Sequence, residues 1–187
     1  MLYINTIQSL KSYAKKYPEE DIKDLLTIAQ LNEKITKREN VHGHVTASGL
    51  VLCDGKLLLI FHKKLQKYLQ PGGHLENDQN LVEAARREVL EETGIHTIPY
   101  RSEEKDLVTP LHIDIHTIPH NEKKGEQEHL HYDCMFLLFA KDSGATIQKS
   151  EIDGYKWVEL NFPFQDKGLI DAIQKIKRLH HDVSLAS

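Results

Sequence analysis

The sequence predicts an α/β protein: a mixed sheet with helices on both sides, preceded by an N-terminal helical segment. Three observations predict it. Residues 1–40 contain no glycine and one proline, and their apolar residues recur at helical spacing. From Val41 the apolar residues alternate instead, and Asp54-Gly55 separates two such runs, a strong hairpin signal. Leu81 to Thr93 then returns to helical spacing between an Asn/Asp-rich turn and Gly94, and strand-like stretches and a closing amphipathic stretch follow. A chain of 187 residues suits one domain with an appendage, or one large domain. The division is expected at residue 40, giving a helical extension over 1–40 and a main domain over 41–187.

In the extension, Ile7, Leu10, Ala14 and Tyr17 mark one face of a first helix. Pro18 followed by Glu19, Glu20 and Asp21 reads as the start of a second, with Ile22, Leu25, Leu26, Ala29 and Ile35 on its apolar side. A hairpin packed on the main domain for stability is the favoured role, with a dimerisation surface or substrate lid as the alternative. Nothing in this segment suggests chemistry.

Residues 41–53 form the first expected strand, with Val45, Ala47, Gly49 and Val51 alternating, and 57–61 its hairpin partner. The basic loop His62, Lys63, Lys64, Gln66 and Lys67 is either solvated or turned toward phosphate oxygens. Strands are expected over 95–100, 107–118, 129–140 and 155–158, and a helix over 164–181 carrying Leu169, Ile170, Ile173 and Ile176. In the second of these strands His112, Asp114 and His116 share one face; in the third, His129, His131 and Asp133 do. Paired antiparallel, the two would gather ligand types suited to zinc or another transition metal. A polar pocket wall contacting substrate needs less coincidence and is preferred. His42, His44, His62, His96, His180 and His181 carry no comparable pattern.

The helix beginning near Leu81 is capped by Asn77, Asp78 or Asn80 and stopped by Gly94. Glu88, Glu91 and Glu92 lie three and four residues apart and therefore share a small patch. Like charges one turn apart cost roughly 0.2–0.5 kcal/mol per pair, so a positive group is needed. Arg86 and Arg87 could supply it in a plain solvated face. A hard divalent cation could supply it equally, since carboxylate oxygens suit Mg²⁺ and Mn²⁺.

Gly73, five residues, Gln79, seven residues, then Arg87-Glu88-Val89-Leu90-Glu91-Glu92-Thr93-Gly94-Ile95 resembles the signature box of the Nudix hydrolases. One specified position departs, Gln79 standing where the family has Glu. The resemblance implies a Nudix-like α/β/α sandwich, and hydrolysis of a diphosphate linkage in a small phosphorylated substrate, commonly a nucleoside diphosphate derivative. It also implies Mg²⁺ or Mn²⁺ held by Glu88, Glu91 and Glu92, with the Gly72 carbonyl completing the shell. Arg87 would keep those carboxylates in register, and Gln79 would brace the box loop and its Arg with a carbonyl where the family has a charge. Glu151, shortly before the Trp157 strand, resembles a loop Glu that serves some family members as extra ligand or base. His74 and Glu76 in the turn join His112, Asp114, His116, His129, His131 and Asp133 as expected substrate-binding residues. The alternative is a noncatalytic Nudix-fold module binding a nucleotide or a protein.

A formal net charge of −4 provides no overall basic field for nucleic acid or a membrane surface. No leader-like or membrane-spanning run is evident, so a cytoplasmic location is expected. Cys53 and Cys134 sit in strand-like stretches and read as buried thiols. A homodimer is left open.

Overall fold

The structure is a computed structural model that describes residues 1–100, 109–122, 125–148 and 152–185, with side chains described as far as residue 179. Two helices open the chain, α1 (Leu2–Lys16) and α2 (Lys23–Leu31), followed by one 3₁₀ turn at Glu33–Thr36. The second helix begins later than the Pro18 signal predicts. Residues 18–22 form a turn and short connection, and Lys23 N–H donates to the Asp21 carboxylate (3.1 Å). Leu10, Tyr13, Leu25, Ala29 and Ile35 are fully or almost fully buried. The extension therefore packs against the main domain through its apolar stripe, as amphipathic helices do.

The sheet is built on the central strand β1 (Gly43–Cys53). It turns through Asp54 and Gly55, both at positive φ (48° and 74°), into β2 (Lys56–His62), the two-residue turn that Asp-Gly favours. Two three-residue strands that the sequence pattern does not predict follow, β3 (Lys67–Leu69) and β4 (Gly72–His74). After α3 (Leu81–Thr93) come β5 (Thr97–Pro99), β6 (His112–Ile118), β7 (His129–Ala140), β8 (Ile152–Glu159) and α4 (Lys167–Leu185). β1 runs parallel to β7 along 43–52, while it pairs antiparallel with β2 at one end and with β4 over Thr46–Ser48. The sheet is mixed, as the sequence predicts.

The period-two geometry of β1 divides the molecule. Val45, Ala47 and Val51 join Tyr132, Cys134, Phe136 and Leu138 against α1, α2 and α3. Leu50 and Leu52 join Met135, Leu137 and Val158 against Leu169, Ala172, Ile173 and Ile176 of α4. Burial of each Val, Leu, Ile, Phe or Met among them contributes about 1.5–3 kcal/mol. On the α4 side, the face ahead of Leu50 is polar: His44, Thr46 and Ser48 precede it at the same period, and α4 does not reach them. That uncovered end of the sheet is where the cleft opens. Cys53 and Cys134 are free thiols, both buried.

Candidate active site

The diglycine exists because two close approaches occur there. A Cβ on Gly72 would stand 2.4 Å from Ser48 Cβ and 2.7 Å from Ser48 Cα, so only glycine lets β4 close on β1. A Cβ on Gly73 would stand 2.6 Å from Glu88 Oε1, so the glycine leaves room for that carboxylate against the strand. The α3 helix is held at its start by Asn80, whose side chain accepts from Glu83 N–H (3.0 Å), and ends at Gly94 with φ 69°.

Arg87 ties the turn to the helix. Its Nε and Nη2 donate to Asp78 Oδ1 (3.0 Å) and Oδ2 (3.1 Å), a bidentate pair. Its Nη2 also reaches the His74 carbonyl (2.8 Å), and Nη1 reaches Glu88 Oε1 (2.9 Å) and Glu91 Oε2 (3.1 Å). The brace assigned from the family pattern to position 79 belongs to Asp78. Gln79 is instead held through its main-chain carbonyl, which accepts from Asn5 Nδ2 of α1 (2.8 Å). Burial alone would raise Asp78, but its hydrogen bonds with Arg87 and the Glu76 amide outweigh that and hold it below the usual carboxylate range. Burial pushes Glu88 upward against the opposing pull of Arg87.

Glu92 is 7% exposed and accepts from Gly72 N–H through Oε2 (3.0 Å), while Glu91 is the solvent-facing member of the row. The donor set is hard oxygen, with the Glu92 carboxylate lying outside the Arg87 pairs, and that chemistry fits a divalent cation of the magnesium class. These residues border a cleft of about 1840 Å³, which also takes in Glu76, Lys64, Arg38 and Gln148. His62 and Lys64 are the members of the predicted basic loop that reach this cleft; Lys63 pairs with Asp153 (3.2 Å). Residues 37–40 also line it, although nothing in that stretch of sequence announced chemistry.

The histidines divide differently from the prediction. His116, His129, His131 and His74 line the cleft, and Asp133 lies on its floor. Asp133 accepts from Ser48 Oγ (2.7 Å), Thr46 Oγ1 (3.2 Å) and Gln70 Nε2 (3.3 Å), and burial raises its pKa. Asp114 meets the cleft through His116, whose Nδ1 is 2.7 Å from Oδ2. His112 does not belong there. Opposite Met135 in the ladder, it is buried under the extension, with Nδ1 3.7 Å from Glu20 Oε2. His44, which the sequence reading set aside, is 2% exposed and central: its ring centroid lies 4.7 Å from that of His131, 5.0 Å from His74 and 5.1 Å from His129. The signal was available in the alternation His44, Thr46, Ser48 within an otherwise apolar strand. Burial first, and then the surrounding imidazoles, push His131 down to about 2. Glu151 lies outside the described residues.

Residues 43–176 match the NUDIX domain. The chain belongs to the NUDIX family. Like the family, it is a Nudix-type hydrolase acting on diphosphate bonds. A "Probable DHNTP pyrophosphohydrolase" of Lactococcus lactis subsp. cremoris is 30% identical over 129 residues, covering 69% of this chain and 74% of that one. The Escherichia coli "Phosphatase NudJ" is 50% identical over 58 residues, which is 30% of this chain and only 38% of that protein. Among solved structures, a NUDIX-family hydrolase from Clostridium perfringens aligns with TM-score 0.57 at 24% identity, covering 75% of this chain and 99% of the other. A C. elegans Ap4A hydrolase aligns with TM-score 0.54 at 15% identity, covering 74% and 98%. These two likenesses establish the fold, the Nudix α/β/α sandwich. Among the described residues no helix is long and apolar enough to cross a membrane.

Proposed function

We propose that this Nudix hydrolase cleaves a diphosphate linkage in a nucleoside diphosphate derivative, with water attacking phosphorus and with Mg²⁺ or Mn²⁺ held by Glu88, Glu91 and Glu92. The observation that carries the reading is the carboxylate row fixed against the diglycine by Arg87 and the Gly72 amide, at the edge of the cleft. A divalent cation bound there supplies neutralisation of phosphoryl charge and lowers the pKa of bound water. Every guanidinium nitrogen of Arg87 is already engaged with protein acceptors. Arg87 therefore positions carboxylates and does not bind substrate. The Gly72 carbonyl is proposed as a further ligand, and one carboxylate of the row, or Glu151, as the proton acceptor. Lys64, Glu76, His116 and the Asp133 floor are proposed to bind and orient the substrate, and a cytoplasmic location is proposed with them.

The test is a panel of nucleoside diphosphate and triphosphate derivatives, with DHNTP included because of the L. lactis relative. Phosphate release is followed with and without Mg²⁺ or Mn²⁺. Glu92→Gln is the control, because its amide oxygen can still accept from Gly72 N–H while the charge is gone. Metal-dependent turnover that is lost in this variant is the expected result. Turnover at the wild-type rate by folded Glu92→Gln would refute the assignment.

A further inference from the structure

Imidazoles from three strands meet in the cleft wall beside the carboxylate row. His44 and His131 are partners in the parallel ladder, and His74 stands on β4 opposite Thr46, two residues along β1 from His44. One ligand nitrogen from each of His44, His74 and His131 lies within 4.8 Å of the other two. Among the described residues this is the only group of three or more His, Cys, Asp or Glu gathered so closely. His129 adjoins it, its Nε2 standing 3.3 Å from His131 Nε2. All four rings line the cleft.

Hydrogen bonding turns Nδ1 of two of these rings outward to main-chain carbonyls. A carbonyl oxygen only accepts, so His129 Nδ1, 2.7 Å from Gln127 O, donates there, and in the neutral ring Nε2 is then the acceptor nitrogen. His44 is oriented in the same sense, with Nδ1 3.5 Å from Asn40 O, and its buried Nε2 has no hydrogen-bond partner among the described residues. A proton on His131 could satisfy one neighbour but not both. An outward Nδ1–H on a main-chain carbonyl, with Nε2 turned inward, is how protein imidazoles are commonly set to receive a metal. Imidazole nitrogen selects transition ions over magnesium. Two nitrogens bound to one tetrahedral zinc at about 2.0–2.1 Å stand about 3.3 Å apart. The His129 and His131 pair already has that spacing, and the 4.8 Å trio needs the rings to draw in by roughly an ångström.

We propose that His44, His74 and His131, with His129 as a fourth candidate, form a transition-metal site of the zinc class, distinct from the carboxylate site. Three ligands leave a coordination position for water or a phosphoryl oxygen, the arrangement of open zinc sites. His74 links the two sites, its ring belonging to the cluster and its carbonyl holding Arg87.

The test uses tag-free full-length protein, stripped with chelator and titrated with Co²⁺, whose visible d–d bands are intense in four-coordinate geometry and weak in six-coordinate geometry. The expected result is saturation of an intense spectrum at one equivalent, followed by displacement with Zn²⁺. His74→Gln keeps the main-chain bond to Arg87 and should weaken Co²⁺ affinity by at least the roughly 10–100-fold that loss of an outer-shell partner costs; His131→Gln should do the same. Glu92→Gln should leave the spectrum unchanged, which separates this site from the carboxylate site. Weak six-coordinate bands alone in the wild type would overturn the proposal, and so would an intense spectrum that survives in folded His74→Gln or that is lost in Glu92→Gln.

Discussion

Asp78→Ala tests the reading that the brace of the box has moved by one residue. The substitution removes two charge-assisted hydrogen bonds to Arg87, at 3.0 and 3.1 Å, and the acceptor for Glu76 N–H at 2.9 Å. Asp78 is 7% exposed and Arg87 21% exposed at the side chain, so water only partly compensates. A hydrogen bond to a charged group contributes about 1.5–3 kcal/mol, and loss of one partner of a fully buried pair costs about 3–5 kcal/mol. Since Arg87 keeps Glu88, Glu91 and the His74 carbonyl, a loss of about 2–3 kcal/mol is expected from the lower of these ranges. With a urea slope of about 2 kcal/mol/M, the unfolding midpoint should fall by roughly 1–1.5 M with the slope unchanged. Gln79→Ala, which leaves its main-chain bond to Asn5 intact, should stay within about 0.5 kcal/mol of wild type. Turnover should fall in Asp78→Ala and hold in Gln79→Ala. The reverse ranking, or equal losses, would refute the reassignment, and a double-mutant cycle of Asp78→Ala with Arg87→Ala would read the coupling directly.

Four further outcomes are expected. Gly73→Ala should displace the Glu88 carboxylate, a side-chain end that can yield, and cut turnover about 100-fold, as an ångström of misplacement can, while thermal unfolding barely moves. Gly72→Ala meets the Ser48 backbone instead, so it should lower the melting temperature as well as activity. Glu20 binds Lys175 Nζ (2.5 Å) and accepts from Tyr13, and these bonds outweigh the burial that would raise it and hold its carboxyl below the ordinary value. Its contribution is therefore complete above the unfolded pKa of about 4.3 and is lost as pH falls through the folded pKa. Denaturation of wild type and Glu20→Gln across pH should show a stability gap at pH 7 that closes below about pH 4, and a gap independent of pH would refute that role. Leu10→Ala, at a fully buried position, should cost about 2–5 kcal/mol in the same assay.

The helix that carries the carboxylates was legible because every local signal agreed: Asn80 as cap, Gly94 as stop and apolar spacing between them. The Asp54-Gly55 hairpin was legible for the same reason. What escaped was set by tertiary contact. β3 and β4 are three residues each and owe their strand character to β2 and β1, a pairing no short-range pattern encodes. His112 and His116 look equivalent in the sequence, sharing parity on one strand, yet they lie at opposite ends of it. His112 falls under the extension and His116 in the cleft, and only the position of α4 and the extension decides which. The brace at Asp78 was hidden because its neighbour carries the family position; which of two adjacent polar residues faces Arg87 depends on the path of the turn.

The extension touches the box loop and the cleft wall. Asn5 holds the Gln79 carbonyl in the box loop, and Lys37 to Asn40 border the cleft. Arg38 pairs with Glu126 across it (2.8 Å), and the Asn40 carbonyl faces the ring of His44. Tyr13, Glu20 and Lys175 lock the same segment to α4 from beneath, Lys175 also donating to the Leu111 carbonyl (3.1 Å). A group that fixes a wall of the cleft at one end and the sheet-covering helix at the other sets the separation between them. Destabilising the extension should therefore change how substrate is held before it changes the carboxylate row, which Arg87 and Gly72 fix independently.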